Sequence, residues 1–438
     1  MALAHELSQD VVTPSLDLFS IPGTNTSILQ SNYVQLNPTS SIADNSTIEF
    51  YIPGTGLDYL DLNNTTLHTR VKIVKADDTV LGANEPVGLI NYPAASLFSQ
   101  VDVVLGDKLI TQSANTYGYR AYIEALLHYD KSTIETALSP GLFILDTPGH
   151  HDAQAKHDGT NHGMCDRLAY TALSAELDLV SPLHVDFFLQ EKLLLNGVDV
   201  RVRLTRAKNE FCLMRHGADA YKVVILAASL YVKKVTPAPH IALAHAQALL
   251  QSNARYAYDR TEIKCFTLAR GSRSISLENL FLGRQPRALA LGLVENGSFI
   301  GSLTKNPYRF QHFNLNHLSL HKDGMQIPST PLTPRFDIPG GGGVAREYFQ
   351  IIAATNRHLK NQALAFGRKD FQQGYALYVF NLAPDDDTVG CMSLVKHGNL
   401  RLDMSFSQAL PETVTLIAYA SYDAIIEISA RREVLMDI

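Results

Sequence analysis

The chain has 438 residues, of which 46% are hydrophobic and 18% charged, with a formal net charge of −6. That is enough apolar material for two or three cores of ordinary size, and the net acidity argues against a dedicated nucleic-acid binder. Seven acidic residues precede Arg70, the first Lys or Arg, so the N-terminal stretch is suited neither to neutralising phosphates nor to serving as a mitochondrial presequence.

No apolar run approaches the ~18 residues that span a bilayer. The four cysteines, Cys165, Cys212, Cys265 and Cys391, are far apart and form no CxxC pair, as expected of free thiols in a reducing compartment. In chain order, residues 1–45 are polar, rich in Ser, Thr and Asn, and lack apolar periodicity. They read as an arm that cannot fold alone. Strand patterns follow at "STIEFYI" (46–52), "TLHTRVKIV" (66–74) and "SQVDVVLGDKLI" (99–110), the last broken by a hairpin turn at "LGD". In "YRAYIEALLHY", Tyr119, Tyr122, Ile123, Leu126 and Leu127 share one helical stripe. In "DVRVRLTR" (199–206), Val200, Val202 and Leu204 alternate with polar residues, as in a half-buried strand. A long strand, "YKVVILAASLYVKKV" (221–235), precedes "TPAPH" and an Ala-rich helix at 241–252, which reads as a linker.

The second half repeats the first. "FNLNHLSLHKDGMQIP" (313–328) is a strand pair around Asp323–Gly324, and it leads through a loop to a helix at 344–355 aligned on Val344, Tyr348, Ile351 and Ile352. A glycine then precedes an alternating strand in each half, Gly197 before "DVRVRLTR" and Gly398 before "NLRLDMSFS", and each half ends in a long β-branched strand. The expected fold is all-β, two sandwiches in tandem with a short helix in each and a helical linker; eight-stranded jelly rolls are the natural candidate, and element order alone leaves immunoglobulin-like or lectin-like sandwiches open. The expected divisions are an arm at 1–45, a first roll at 46–236, a linker at 237–255 and a second roll at 256–438.

The residues richest in chemistry lie in "TPGHHDAQAKHDGTNHGMCD" (147–166). His157, His162 and Cys165 have a spacing that could supply three zinc ligands. The surrounding glycines, Asp and Asn favour a solvated loop. The run Gly340–Gly343 lacks the GK[ST] of a phosphate loop and reads as a hinge into the following helix. "GSRSIS" (271–276) is a turn and not a nucleophile elbow. The pair Asp58/Asp61 and the run Asp385–Asp387 lack a calcium-loop pattern. Nothing assembles into a nucleophile, a base and an orienting group, so no catalytic, cofactor or metal residue is assigned.

The stretch "YDRTEIKCFTLARGSRSISLENLFLGRQPRALALGLVENGSFIGSLTKNPYRFQHFNLNHLSLHKDGMQIPSTPLTPRF" (258–336) resembles the major capsid proteins of Polinton (Maverick) elements and adintoviruses. So do "GNLRLDMSFSQALPETVTLIAYASYDAIIEISARREV" (398–434), "TYGYRAYIEALLHY" (116–129) and "SPLHVDFFLQEKLLLNGVDVRVRLTRAKNEFCLM" (181–214). The resemblance implies an all-β double jelly roll, two eight-stranded sandwiches in tandem, and a non-enzymatic capsid subunit of the virion, built as a homotrimer of pseudo-sixfold outline. It implies neighbouring capsomers and a penton protein as partners, a shell around double-stranded DNA that is touched only indirectly, and no cofactor. A viral spike or glycan-binding sandwich is the rival reading; it calls for aromatic clusters in loops, and the chain has no Trp.

Overall fold

The structure is a computed structural model and describes residues 7–42, 47–82, 85–153, 159–358, 362–383 and 391–436. Sixteen of the described strands fall into two sets of eight. The first set is β1 (Ile28–Leu36), β2 (Ile48–Ile52), β3 (Tyr59–Lys75), β4 (Phe98–Leu105), β5 (Lys108–Leu109), β6 (Leu177–Pro182), β7 (Val200–Arg206) and β8 (Tyr221–Pro237). The second set is β9 (Ala254–Leu268), β10 (Ser274–Leu277), β11 (Ala288–Glu295), β12 (Leu315–Lys322), β13 (Met325–Leu332), β14 (Leu377–Asn381), β15 (Leu400–Phe406) and β16 (Val414–Ile428).

The first set forms sheets of order β1-β8-β3-β6 and β2-β7-β4-β5; the second forms β9-β16-β11-β14 and β10-β15-β12-β13. Adding eight to every strand number of the first pair of sheets gives the second pair. Every one of these pairings is antiparallel. Two four-stranded antiparallel sheets in this order are a jelly roll, and the chain contains it twice.

Local sequence explains the elements. In β7, Val200, Val202 and Leu204 are buried and Arg201 and Arg203 exposed; in β15, Leu400, Leu402, Met404 and Phe406 are buried. The β12–β13 hairpin turns on Asp323 and Gly324, both at positive φ (51° and 82°), the backbone that a two-residue turn of this hand requires. Strand β11, "ALALGLVE", lies inside its sheet between β16 and β14 and is buried from Leu289 to Glu295. Its unbroken apolar run therefore gives no period-two signal. Gly292 is needed there, because a Cβ would stand 2.5 Å from the Phe310 ring.

Three sequence expectations need correction. Residues 28–36, assigned to the arm, form β1 and pair with β8 along their length. The helix expected to carry one apolar stripe, Tyr117–His128, is buried on all sides, including Arg120 and Glu124; only His128 escapes. The Gly340–Gly343 run is not a hinge. Arg368 donates to the carbonyls of Gly341 and Gly342 at 2.7 and 2.8 Å, and a Cβ on Gly343 would stand 2.1 Å from the Arg335 carbonyl oxygen. The linker helix spans Pro239–Leu249 and buries none of its residues.

Candidate functional site at the junction of the two rolls

Between β5 and β6 the first roll inserts Tyr117–His128 and a second helix, His162–Thr171, capped by Asn161, whose side chain accepts from the Met164 N–H at 3.3 Å. The second roll answers with its β11–β12 connection. Tyr122 stacks on Tyr308 with centroids 4.1 Å apart and planes 5° apart, and Tyr119 stacks on Phe299 at 5.5 Å. Tyr308, Phe211 and Phe143 complete the cluster edge-on or stacked. Aromatic pairs in such geometries add about 0.5–1.5 kcal/mol each beyond their buried area.

A polar network is set into this cluster. Arg167 and Asp146, both fully buried, pair at 2.6 Å. Asn161 and Asn306 donate to the two Asp146 carboxylate oxygens at 2.9 and 3.0 Å, and the Tyr375 hydroxyl donates to the Asp146 carbonyl at 2.7 Å. Asn306 and Tyr375 come from the second roll, so one carboxylate ties both rolls together. Burial alone would raise the Asp146 carboxyl, but Arg167 beside it holds it below its ordinary range. Arg167 spends its other donors on the carbonyls of Leu89 and Ile144.

A second network lies along Tyr117–His128. Glu124 meets His184 at 3.0 Å, His184 meets the Tyr92 hydroxyl at 2.7 Å, and Arg120 pairs with Asp186. Burial works to raise Glu124, yet His184 and Arg120 bring it down to about 2. Asp186 stays above its usual value, because its desolvation outweighs Arg120. Its second oxygen accepts the Thr261 N–H of β9 at 3.0 Å. Tyr, His and Glu in series have the composition of a proton relay. All three are buried, however, so no substrate reaches them and the arrangement serves packing.

Among the described residues of the histidine-rich segment, His151 and Asp152 pack at this junction, while Gly149, His150, Gly159, His162 and Asp166 are exposed. His151 is fully buried against Tyr375, with ring centroids 4.9 Å apart. Burial lowers its pKa to about 4, and neither ring nitrogen has a hydrogen-bond partner. Asp152 pairs with Arg309, and Gly149 donates to the Gln373 carbonyl at 2.7 Å. His162 and Cys165 sit on the first turn of their helix; His157 lies outside the described residues. Among the described residues no group of three His, Cys, Asp or Glu side chains is placed to hold a metal. Asp58 accepts from Thr236 and Asp61 pairs with Lys233 at 3.0 Å, so each is used locally. The Asp385–Asp387 run lies outside the described residues. Among those described, no helix is long and apolar enough to cross a membrane.

The junction was invisible in the sequence because its residues come from many segments far apart in the chain. The one available signal was the charge inside "YRAYIEALLHY": Arg120 and Glu124, a turn apart in an otherwise apolar helix, announce a buried pair.

No protein-family model matches the chain. An uncharacterized protein of Caenorhabditis elegans, F54H12.2, is 21% identical over 432 residues, covering 95% of this chain and 99% of its own. Among solved structures, a chain in the cryo-EM structure of the Sputnik virophage superposes with a TM-score of 0.68 at 13% identity, covering 98% of this chain and 93% of that one. The faustovirus major capsid protein gives 0.58 at 11% identity, with 94% and 92% covered. The mavirus major capsid protein gives 0.51 at 12% identity, with 98% and 96% covered. The likeness covers nearly the whole chain, and at these identities it speaks for the fold, a double jelly roll.

Proposed function

We propose that the chain is a structural major capsid protein, of the kind carried by Polinton (Maverick) elements and adintoviruses, with no catalytic role. Three copies form a capsomer of pseudo-sixfold outline. Capsomers, with a penton protein at the vertices, tile an icosahedral shell of the virion around double-stranded DNA, which this subunit contacts only indirectly. The observation that carries the reading is the repeated strand order: two rolls of one topology in one chain place six similar units around a threefold axis. The virus structures to which the chain is similar support it along nearly its whole length.

We divide the chain accordingly into an arm at 1–27, a first roll at 28–237, a linker at 238–253 and a second roll from 254 onward. The arm exposes Leu7, Val11, Leu16, Leu18, Phe19 and Ile21. Apolar side chains left this open call for cover, which a neighbouring subunit supplies. Sedimentation and negative-stain microscopy of the purified full chain test the reading. Trimers with a hexagonal outline are expected, and deletion of residues 1–26 should leave the rolls folded while weakening association between capsomers. A chain that stays monomeric at high concentration overturns the capsomer.

A further inference from the structure

The linker helix between the rolls, Pro239–Leu249, has the composition of a covered element and the exposure of a surface one. No Asp, Glu, Lys or Arg stands between Lys234 and Arg255, yet the helix buries none of its residues. A solvated helix ordinarily carries charge on its outer face, and one without a charged face is ordinarily covered. The helix is also firmly placed. The His245 ring stacks on Tyr59 of β3 with centroids 5.8 Å apart, its Nδ1 lies 3.0 Å from the Tyr59 hydroxyl, and Leu249 packs on the core. Its outer side, with Leu243 61% exposed and Leu250, just past the last turn, 81% exposed, is therefore held out to solvent.

The chain carries a second uncovered apolar element at the same place. The N-terminal arm joins the fold beside the linker: Ile28 pairs with Pro237, and the Ser27 carbonyl accepts the Ala238 N–H at 2.9 Å. Arm and helix thus leave the same end of the β1–β8 pair. Residues 7–26 are exposed throughout, Phe19 to 94% and Ile21 to 89%, so within one chain neither element covers the other. At ~3.3 Å per residue these residues can extend to ~65 Å, against ~16 Å for the helix. That is long enough to leave one chain and lie along the helix of another. Charge favours protein over lipid as the cover. Asp10 and Asp17 are the only charged side chains among the arm's described residues, no Lys or Arg precedes Arg70, and a lipid surface is ordinarily met by basic residues.

We propose that the arm of one copy docks along the linker helix of a second copy, whose own arm docks in return. Each copy presents arm and helix side by side, so the two together form a patch complementary to itself, and copies related by a twofold axis make the contact twice. A twofold contact cannot belong to a threefold ring. Resting on the capsomer proposed above, it therefore joins one capsomer to the next. The arm contributes Val11, Leu16, Phe19 and Ile21, and the linker contributes Leu243 and Leu250, all open in the single chain. Docking removes both apolar surfaces from water at once.

The full-length variant Leu243→Asp/Leu250→Asp, changed only at exposed positions, tests the helix. Sedimentation is expected to show trimers with an unchanged thermal midpoint, associating into larger species roughly a hundredfold more weakly than the wild type, as for loss of a central apolar anchor. A variant that associates like the wild type overturns the proposal. Cysteine cross-linking reads the partner, in a Cys265→Ser/Cys391→Ser background that removes the two exposed thiols. Separately purified trimers carrying Phe19→Cys and trimers carrying Leu243→Cys are mixed and treated with a bismaleimide. A two-chain product well above that of either variant alone is expected. A chain carrying both substitutions that links only within itself shows an arm folded on its own helix and overturns the proposal. Flotation with vesicles of phosphatidylcholine and phosphatidylglycerol reads the lipid alternative: the wild type should stay unbound, and binding that Leu243→Asp/Leu250→Asp abolishes makes lipid the cover. A wild type that sediments as a monomer fails the capsomer reading itself, whereas trimers that give no two-chain product fail only the arm contact.

Discussion

Replacing Arg167 by Met removes one half of an ion pair whose two side chains have no exposure at all. What remains is a buried Asp146 carboxylate held by the amides of Asn161 and Asn306, with the carbonyls of Leu89 and Ile144 stripped of their donor. Breaking a buried pair from one side costs about 3–5 kcal/mol, mostly the penalty of the charge left behind. The double replacement Arg167→Met/Asp146→Asn removes that charge, so its loss should be well below that of the single variant, with a coupling of about 2 kcal/mol or more.

The pH dependence gives the sharper readout. In the wild type, Asp146 lies below its ordinary range, so its contribution is present at neutral pH and is lost as pH falls through and below the unfolded value near ~4. In Arg167→Met only burial and two neutral amides act, and the carboxyl rises above that value. The sign reverses for this group: relative to the wild type, the variant should gain stability as pH falls from 7 toward ~4. Urea unfolding followed by far-UV circular dichroism measures this, since the chain has no Trp to report by fluorescence. A single-variant loss below ~1 kcal/mol, or a pH slope matching the wild type, would refute the assignment of Asp146 as a buried charge that Arg167 neutralises.

Other outcomes follow from the same contacts. His151 is held neutral with a pKa of about 4; the wild type should lose up to about 3 kcal/mol between pH 6.5 and 4 as the unfolded chain takes up that proton, and His151→Leu should flatten this part of the acid unfolding profile. Gln112→Leu strips both partners from Ile263 on the β9 edge and should cost about 1–2 kcal/mol, seen as a lower urea midpoint. Chelator treatment should leave the thermal midpoint of the full chain unchanged, because His162 and Cys165 share a helix turn with no third ligand beside them among the described residues; a drop that zinc reverses would restore the metal reading of the histidine segment.

The β strands were legible wherever one face meets a core and the other solvent, as in β7 and β15, because period two is then written into the side chains. The strands enclosed on both sides were not: β11 carries an unbroken apolar run, and β14, covered by Ala345–Ala354, buries four of its five residues. The duplication showed through hairpin, helix and turn order, since these depend on local chemistry. The buried part of the histidine segment, His151 with Asp152 beside it, was hidden for a definite reason. Glycine, Asp and Asn suit a solvated loop, but they suit equally a segment whose polar groups are consumed in a buried network, and only the partners decide. Those partners, Asn306, Arg309, Gln373 and Tyr375, stand far away in sequence.

The junction also explains why two equivalent helices look unlike each other. Tyr117–His128 is apolar on every side save for Arg120 and Glu124, and each of these meets an opposite charge inside the fold. Ala345–Ala354 has the same place in its roll and keeps Arg346 and Phe349 open. If the rolls were interchangeable, either helix could receive either connection, and chains could pair roll to roll across molecules as readily as within one. An apolar cluster alone discriminates weakly between two such dockings, because burial is nearly indifferent to which rings supply it. Buried charges discriminate strongly: seating the wrong roll over Asp146 or Asp186 leaves a desolvated carboxylate without Asn306 or the Thr261 N–H, at a cost of several kcal/mol. The networks therefore add little to stability by themselves. Their effect is to make the docking within the chain unique.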